Sequence, residues 1–266
     1  MSKLFVIKVG GNIIDDETKL AAFLIAFAAI PEKKILVHGG GKLATRLAND
    51  LGIEQELIDG RRITNAETLK IVTMVYAGYI NKNIVATLQS VNCNALGLCG
   101  ADGDAITAHK RIKGAIDFGF AGDIDRVNAV SLSKLLDNHD ALVFAPITHD
   151  GKGQLLNTNA DTIAQELATG LSSLFEFHMV FGFEKAGVLL DAEDDNTVIA
   201  SLSQGYYEEL KKENKIFAGM IPKLDNAFAA INKGVRNVLI GRAEEIGLMT
   251  GGKAGTTITN GKAQVQ

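Results

Sequence analysis

At 266 residues, with 47% hydrophobic and 22% charged, the chain can bury a full core as one large α/β domain or as two lobes. Its 27 basic and 31 acidic side chains give a formal net charge of −4, which argues against general nucleic-acid binding as the main task. The longest apolar stretch, Leu20 to Ile30, is shorter than the roughly 20 residues a helix needs to span a bilayer, and with a strand-like run from Leu4 no signal peptide is expected. A cytoplasmic protein with no membrane or nucleic-acid partner is expected. Cys93 and Cys99 lack CxxC spacing and are expected as buried thiols rather than a disulfide.

Leu4 to Val9 is nearly continuous apolar, the pattern of a buried parallel strand, and Asp16 to Ile30 reads as a helix ended by Pro31. A strand over Lys34 to Val37 and a helix from about Lys42 to Leu51 complete a βαβα opening. That order predicts a parallel sheet with a ligand at the strand C-termini. Gly52 to Thr64 is irregular. A helix over Asn65 to Val91 follows, with Asn65 as its N-cap, and then a short strand over Ala95 to Cys99. The polar stretch reaching Val127 is expected to hold short antiparallel strands on the sheet edge. Ser131 to His139 reads as a helix, Ala141 to Ile147 as a buried strand, and the segment after Asp161 as a helix to about Ala168. The second half repeats the layout less cleanly, with strands at Glu176 to Gly182, Val235 to Ile240 and Gly255 to Ile258. Its helices lie near Ser203 to Glu213 and Pro222 to Lys233. No linker rich in Pro, Ser or charge interrupts the chain, so two lobes would share one sheet.

Two glycine turns close the first two strands: Gly10-Gly11 and His38-Gly39-Gly40-Gly41. A strand end, glycines and a helix N-terminus together present backbone amides to an anion. The turns match neither G-x-G-x-x-G nor a P-loop, since Leu36 and Leu43 stand where the latter needs Gly and Ser or Thr. Lys8 lies inside an apolar strand, where an ammonium either meets an anion or reaches water at the strand edge. Lys223, after Pro222, is either a solvated helix lysine or a second phosphate partner. Asp161 is either a first-turn carboxylate favoured by the helix dipole or a catalytic one. Asn157 and Asn159 suit turns or caps, and Arg61-Arg62 suit solvent or bidentate carboxylate binding. The five histidines show no metal-ligand spacing, and no metal site in the protein is expected.

In order along nearly the whole chain, Lys8-Val9-Gly10-Gly11, His38-Gly39-Gly40-Gly41, Gly60-Arg61-Arg62-Ile63-Thr64, Asn157-Thr158-Asn159-Ala160-Asp161, Gly219-Met220-Ile221-Pro222-Lys223 and Gly255-Thr256-Thr257-Ile258 resemble the amino acid kinase family. Within that family they are most similar to the kinases of acylated glutamate in arginine biosynthesis. The resemblance implies an α/β fold, a three-layer αβα sandwich with an open, mainly parallel central sheet. It implies a single domain over 1–266. Its N-terminal lobe, about 1–170, would bind the acylated glutamate, and its C-terminal lobe, about 171–266, would bind ATP. The implied reaction transfers the γ-phosphoryl group of ATP, with Mg²⁺, to the γ-carboxylate of N-acetyl-L-glutamate, or of N-succinyl-L-glutamate, giving an acyl phosphate. That carboxylate is already ionised near pH 7, so no general base is needed.

By the same resemblance, Lys8 and Lys223 would flank the phosphoryl group, Gly10, Gly11 and Gly40 would donate amides to it, and Asp161 would hold the two lysines. Arg62 and Asn157 would bind the α-carboxylate side of the substrate, Gly39 and Gly40 would shape its pocket, and Asn159 would orient it. Nucleotide contacts are expected at Glu184, Gly187, Phe217 and Lys223. The segment Phe183-Glu184-Lys185-Ala186-Gly187-Val188, where the family contacts adenine and ribose, departs from the family pattern. Arg61 stands where the family has an apolar residue, and either faces solvent or accommodates a charged acyl group. The chain opens almost directly on its first strand, without the added N-terminal helix of the hexameric, arginine-inhibited members. A homodimer without arginine feedback is therefore expected. The readings from other classes are a non-catalytic sensor of nucleotide or amino-acid derivatives and a kinase for another small carboxylate.

Overall fold

The computed structural model describes residues 1–58, 61–191, 193–216 and 220–259. Its centre is β1, Lys3–Val9, which pairs in parallel with β2, Lys33–His38, on one side and with β11, Glu176–Phe183, on the other. Beyond β2 lie β8, Ala141–Phe144, and β5, Ala95–Leu98; beyond β11 lie β13, Asn237–Arg242, β14, Thr256–Thr259, and β12, Ser201–Ser203. Every pair in this eight-stranded sheet is parallel except β13–β14. The chain leaves β1 toward β2 and returns later on the far side at β11. This makes the β1/β11 boundary a topological switch point, the place where open α/β sheets bind ligands beyond their strand C-termini.

Strand alternation divides the core. Leu4 and Val6 face one layer, with α6, Ala129–Asn138, α7, Ala160–Leu171, α8, Gln204–Lys212, and α9, Ile221–Asn232. Phe5, Ile7 and Val9 face the other, with α2, Glu17–Ala28, α3, Gly41–Asp50, and α10, Ile246–Thr250. The same layer holds one helical rod made of α4, Ala66–Val72, a π-helical stretch, Thr73–Ile80, and α5, Asn81–Ser90. The expected three-layer αβα sandwich is thus present, and Asn65 caps α4 by accepting from the Thr68 amide. A short helix α1, Gly11–Ile14, follows β1 directly.

Two sequence expectations are corrected. The stretch reaching Val127 does not sit on the edge of the main sheet. It forms β6, Ile106–Lys113, and β7, Ile116–Val127, which close a small barrel with β9, Ile147–His149, and β10, Leu155–Thr158. The apolar run Ala141 to Ile147 is not one strand, because the chain leaves the main sheet after Phe144 and enters the barrel at Ile147. Pro146, which cannot donate to a ladder, lies at that exchange. A short hairpin of β3, Leu57–Ile58, and β4, Arg61–Arg62, lies in the region read as irregular.

Candidate active site

Alternation along β1 decides where Lys8 points. It falls on the Leu4–Val6 side, the α7 side, one residue short of the strand's C-terminal end. The N-terminus of α7 lies there, with Asn159 as N-cap accepting from the Thr162 amide and Asp161 in the first turn. Lys8 Nζ and Asp161 Oδ1 are 2.9 Å apart. The first residue of the glycine turn is close by, since a Cβ built on Gly10 would lie 3.9 Å from Lys8 Nζ.

On the switch-point side a cleft of about 530 Å³ is lined by Gly10, Gly11, Gly182, Phe183, Gly187 and Lys223, among others. Lys223, exposed overall, sets its ammonium 3.8 Å from the centre of the Phe183 ring. Burial of that end, and then the nearby Lys8 ammonium, hold Lys223 below the usual lysine value, while Asp161 and Glu184 oppose the shift. Asn12 in α1 donates to Glu184, which follows β11, and accepts from Lys42 Nζ at 2.8 Å. The turn at Gly187 is packed against β14: a Cβ there would meet Thr256 Oγ1 at 2.7 Å, and the Val188 amide donates to that same oxygen at 2.8 Å.

On the β2 side a smaller pocket of about 160 Å³ is lined by Gly39, Gly40, Arg61, Arg62, Asn157 and Asn159, with Tyr76 and Pro146 completing it. Arg62 is buried and held on several sides. It donates to Gln55 Oε1, to Thr45 Oγ1 at 2.9 Å and to the Gly41 carbonyl at 3.1 Å. The Tyr76 hydroxyl lies against the same guanidinium; burial raises its pKa and Arg62 opposes that rise. Asn157 Nδ2 donates to Thr64 Oγ1 at 3.0 Å, and Thr64 Oγ1 donates to the Arg62 carbonyl at 2.9 Å. The Arg61 side chain forms no hydrogen bond or ion pair among the described residues. Burial, and then Arg111, lower its pKa, while Asp123 and Asp161 oppose this.

The structure therefore brings Lys8, Gly10, Gly11, Asp161, Glu184, Gly187 and Lys223 to one cleft region and Gly39, Gly40, Arg62, Asn157 and Asn159 to the neighbouring pocket. Among the described residues Asp161 pairs directly with Lys8 and reaches Lys223 only at longer range. Arg61, half-buried, is among the residues lining the pocket. Phe217, Gly60 and Gly219 lie outside the described residues. Sequence reading gave no role to Asn12, Lys42, Tyr76 and Thr256. Thr256 carried a signal through the Gly255-Thr256-Thr257-Ile258 motif, and Asn12 as the first side chain after the Gly10-Gly11 turn. No group of three or more His, Cys, Asp or Glu side chains able to hold a metal occurs among the described residues. The donor set is cations and backbone amides, suited to neutralising phosphate charge while an already anionic nucleophile attacks.

Comparison with known proteins agrees with this geometry. The family model described as "Amino acid kinase family" matches residues 3–242. Acetylglutamate kinase of Cytophaga hutchinsonii is 56% identical over 247 residues, covering 92% of this chain and 94% of that protein. The enzyme of the same name from Bacteroides thetaiotaomicron is 52% identical over 244 residues, covering 92% and 95%. Among solved structures, N-acetylglutamate synthase of Neisseria gonorrhoeae, complexed with coenzyme A and N-acetyl-glutamate, superposes with a TM-score of 0.79 at 20% identity. That match covers 98% of this chain and 60% of the synthase, a likeness of fold. With the sheet order, the two glycine turns and the Lys8–Asp161 pair in place, the chain belongs to the amino acid kinase family.

Proposed function

We infer that the protein is an ATP-dependent kinase of N-acetyl-L-glutamate acting in arginine biosynthesis, converting the γ-carboxylate to an acyl phosphate. The observation that carries this reading is the Lys8–Asp161 pair at the C-terminal end of β1, between a larger cleft and a smaller cation-lined pocket. ATP occupies the larger cleft, toward the C-terminal lobe, with Lys223 and the amides of Gly10 and Gly11 on its terminal phosphates. The acylated glutamate occupies the smaller pocket, its α-carboxylate on Arg62, beside Asn157. Asn159 orients the reacting end at the start of α7. Lys8 stabilises charge on the phosphoryl oxygens, and Asp161 holds its ammonium in place. The Mg²⁺ such kinases use would arrive with the nucleotide phosphates, since no group of three or more His, Cys, Asp or Glu side chains able to hold a metal occurs among the described residues.

The same reading includes a cytoplasmic homodimer. It is supported by the exposed Met74 and Tyr79 on the helical rod and tested by light scattering, which should report twice the chain mass. Arg61 favours a second reading of the acyl group. A guanidinium in the pocket with no ion pair among the described residues offers a counter-ion to a third carboxylate, as in N-succinyl-L-glutamate. Coupled ADP-release assays across N-acetyl-glutamate, N-succinyl-glutamate and carbamate decide among these. A clear preference for one acylglutamate supports the kinase and fixes the acyl group, and turnover of carbamate alone contradicts it. Binding of nucleotide with no turnover of any of them indicates a sensor.

A further inference from the structure

One buried group at the edge of the site has no part in the scheme above. His38 ends β2, is fully buried, and uses both ring nitrogens. Nδ1 lies 2.8 Å from the Gly39 carbonyl oxygen and Nε2 lies 3.2 Å from Asn81 Nδ2. The orientation of the Asn81 amide follows from its other partners: Nδ2 donates to the Val143 carbonyl at 2.9 Å, and Oδ1 accepts from Lys82 Nζ at 3.0 Å. An amide nitrogen only donates, so Nε2 accepts and the proton sits on Nδ1. Burial lowers the His38 pKa to about 4, which keeps the ring neutral near pH 7.

The carbonyl that His38 holds belongs to the peptide joining Gly39 to Gly40, and that peptide is trans. A planar trans peptide points its C=O and its N–H in opposite directions. With the oxygen drawn down against the imidazole, the Gly40 N–H is aimed the other way, toward the pocket that Gly39, Gly40 and Gly41 line. Gly40 is itself buried, yet its N–H has no partner within the protein among the described residues. Buried backbone donors are rarely left so, and this one is kept for something that enters the pocket. Two successive glycines give the peptide little preference of its own, and Gly40 at φ +146° occupies a region only glycine enters readily. Turned over, the peptide would present a carbonyl oxygen to an anionic substrate. Something outside the turn must fix its sense.

We propose that His38 is a positioning residue of the phosphoryl-transfer site: as the Nδ1–H tautomer fixed by Asn81, it holds the Gly39–Gly40 peptide so that the Gly40 amide faces the reacting carboxylate and phosphoryl group. The inference rests on the kinase reading above. His38 touches no substrate and moves no proton; it acts through one peptide plane.

Two substitutions separate this role from simple core filling. His38→Asn keeps an N–H at the δ position and can still hold the Gly39 oxygen, whereas His38→Leu keeps apolar bulk and loses the donor. In the full chain, His38→Leu should lower kcat by at least about 10-fold, up to the roughly 10²–10³-fold seen when a preorganised donor is lost altogether. Its KM for ATP should stay within about 2-fold, and His38→Asn should recover most of the loss. Wild-type kcat in His38→Leu, or no recovery in His38→Asn, would overturn the proposal. A second measurement holds even if the leucine variant does not fold. ¹⁵N NMR of the histidine rings in the intact wild-type protein should show His38, assigned by its loss in His38→Asn, as the neutral Nδ1–H tautomer. The Nε2–H tautomer would refute the proposal. Absence of any wild-type turnover would remove the kinase reading instead, leaving the ring's tautomer readable on its own.

Discussion

Lys8 and Lys223 lie near enough to feel one another's charge without being equivalent. Lys8 has a carboxylate at 2.9 Å, and Lys223 has an aromatic face and a like charge nearby, so its ammonium is the more costly to keep. Its folded-state pKa lies below the ordinary lysine value, so the charged form is disfavoured in the free protein, and that cost is relieved as pH rises toward 10.5. A bound polyphosphate reverses the sign by restoring a counter-charge. The kcat/KM for ATP should therefore fall along an alkaline limb that begins below pH 10.5, as Lys223 loses its proton. Lys223→Arg should push that limb upward, because a guanidinium stays charged. A profile unchanged in Lys223→Arg would show that another group sets the limb. At this scale the sequence was informative where residue type and setting clashed. A lysine in an apolar strand flagged Lys8, and a carboxylate two residues after Asn159 flagged Asp161. Tyr76 is ordinary in its own segment, and only tertiary contact reveals its part.

At the scale of the element, the site depends on where two helices begin. The α7 N-terminus carries Asp161 and is closed by the Asn159 cap. Asn159→Ala should cost about 1 kcal/mol of stability by urea denaturation, the usual value of a lost N-cap. It should lower kcat by more than that destabilisation explains, since the cap also sets where Asp161 meets Lys8. The α3 N-terminus begins at the Gly40 turn, where a Cβ would run into Ile80 Cδ1 and would also sit 3.1 Å from Tyr76 Cδ1. Gly40→Ala combines a positive φ with that clash, and should destabilise by roughly 1–3 kcal/mol in the same assay. A melting curve matching wild type would show that the turn relaxes freely. Most elements were legible because continuous apolar strands, caps at Asn65 and Asn159 and glycine turns are local signals. The barrel was not legible. Its closure pairs β6 with β9 and β7 with β10, contacts between segments far apart in sequence that leave no periodic trace.

Across the whole molecule, one continuous sheet joins a smaller pocket built with barrel residues to a larger cleft built with the C-terminal strands. Asn12 ties the two sides by donating to Glu184 while it accepts from Lys42 at the start of α3. Glu184→Ala should raise KM for ATP and leave KM for the acylglutamate near wild type. An equal rise in both would place Glu184 in general folding rather than in the nucleotide cleft. The parallel sheet and the position of the turns at its strand ends could be read from the order of strands and helices. How the barrel completes the smaller pocket could not, because Pro146 and Asn157 reach it only through barrel closure.

The central claim is that phosphoryl transfer to a carboxylate occurs beside Lys8. It is tested most directly by trapping the acyl phosphate with hydroxylamine after incubation with ATP, Mg²⁺ and N-acetyl- or N-succinyl-glutamate. Wild-type protein should yield the hydroxamate of one acylglutamate, and Lys8→Ala should yield it roughly 10²–10³-fold more slowly while remaining folded. No hydroxamate from wild type, or an undiminished rate in Lys8→Ala, would contradict the account.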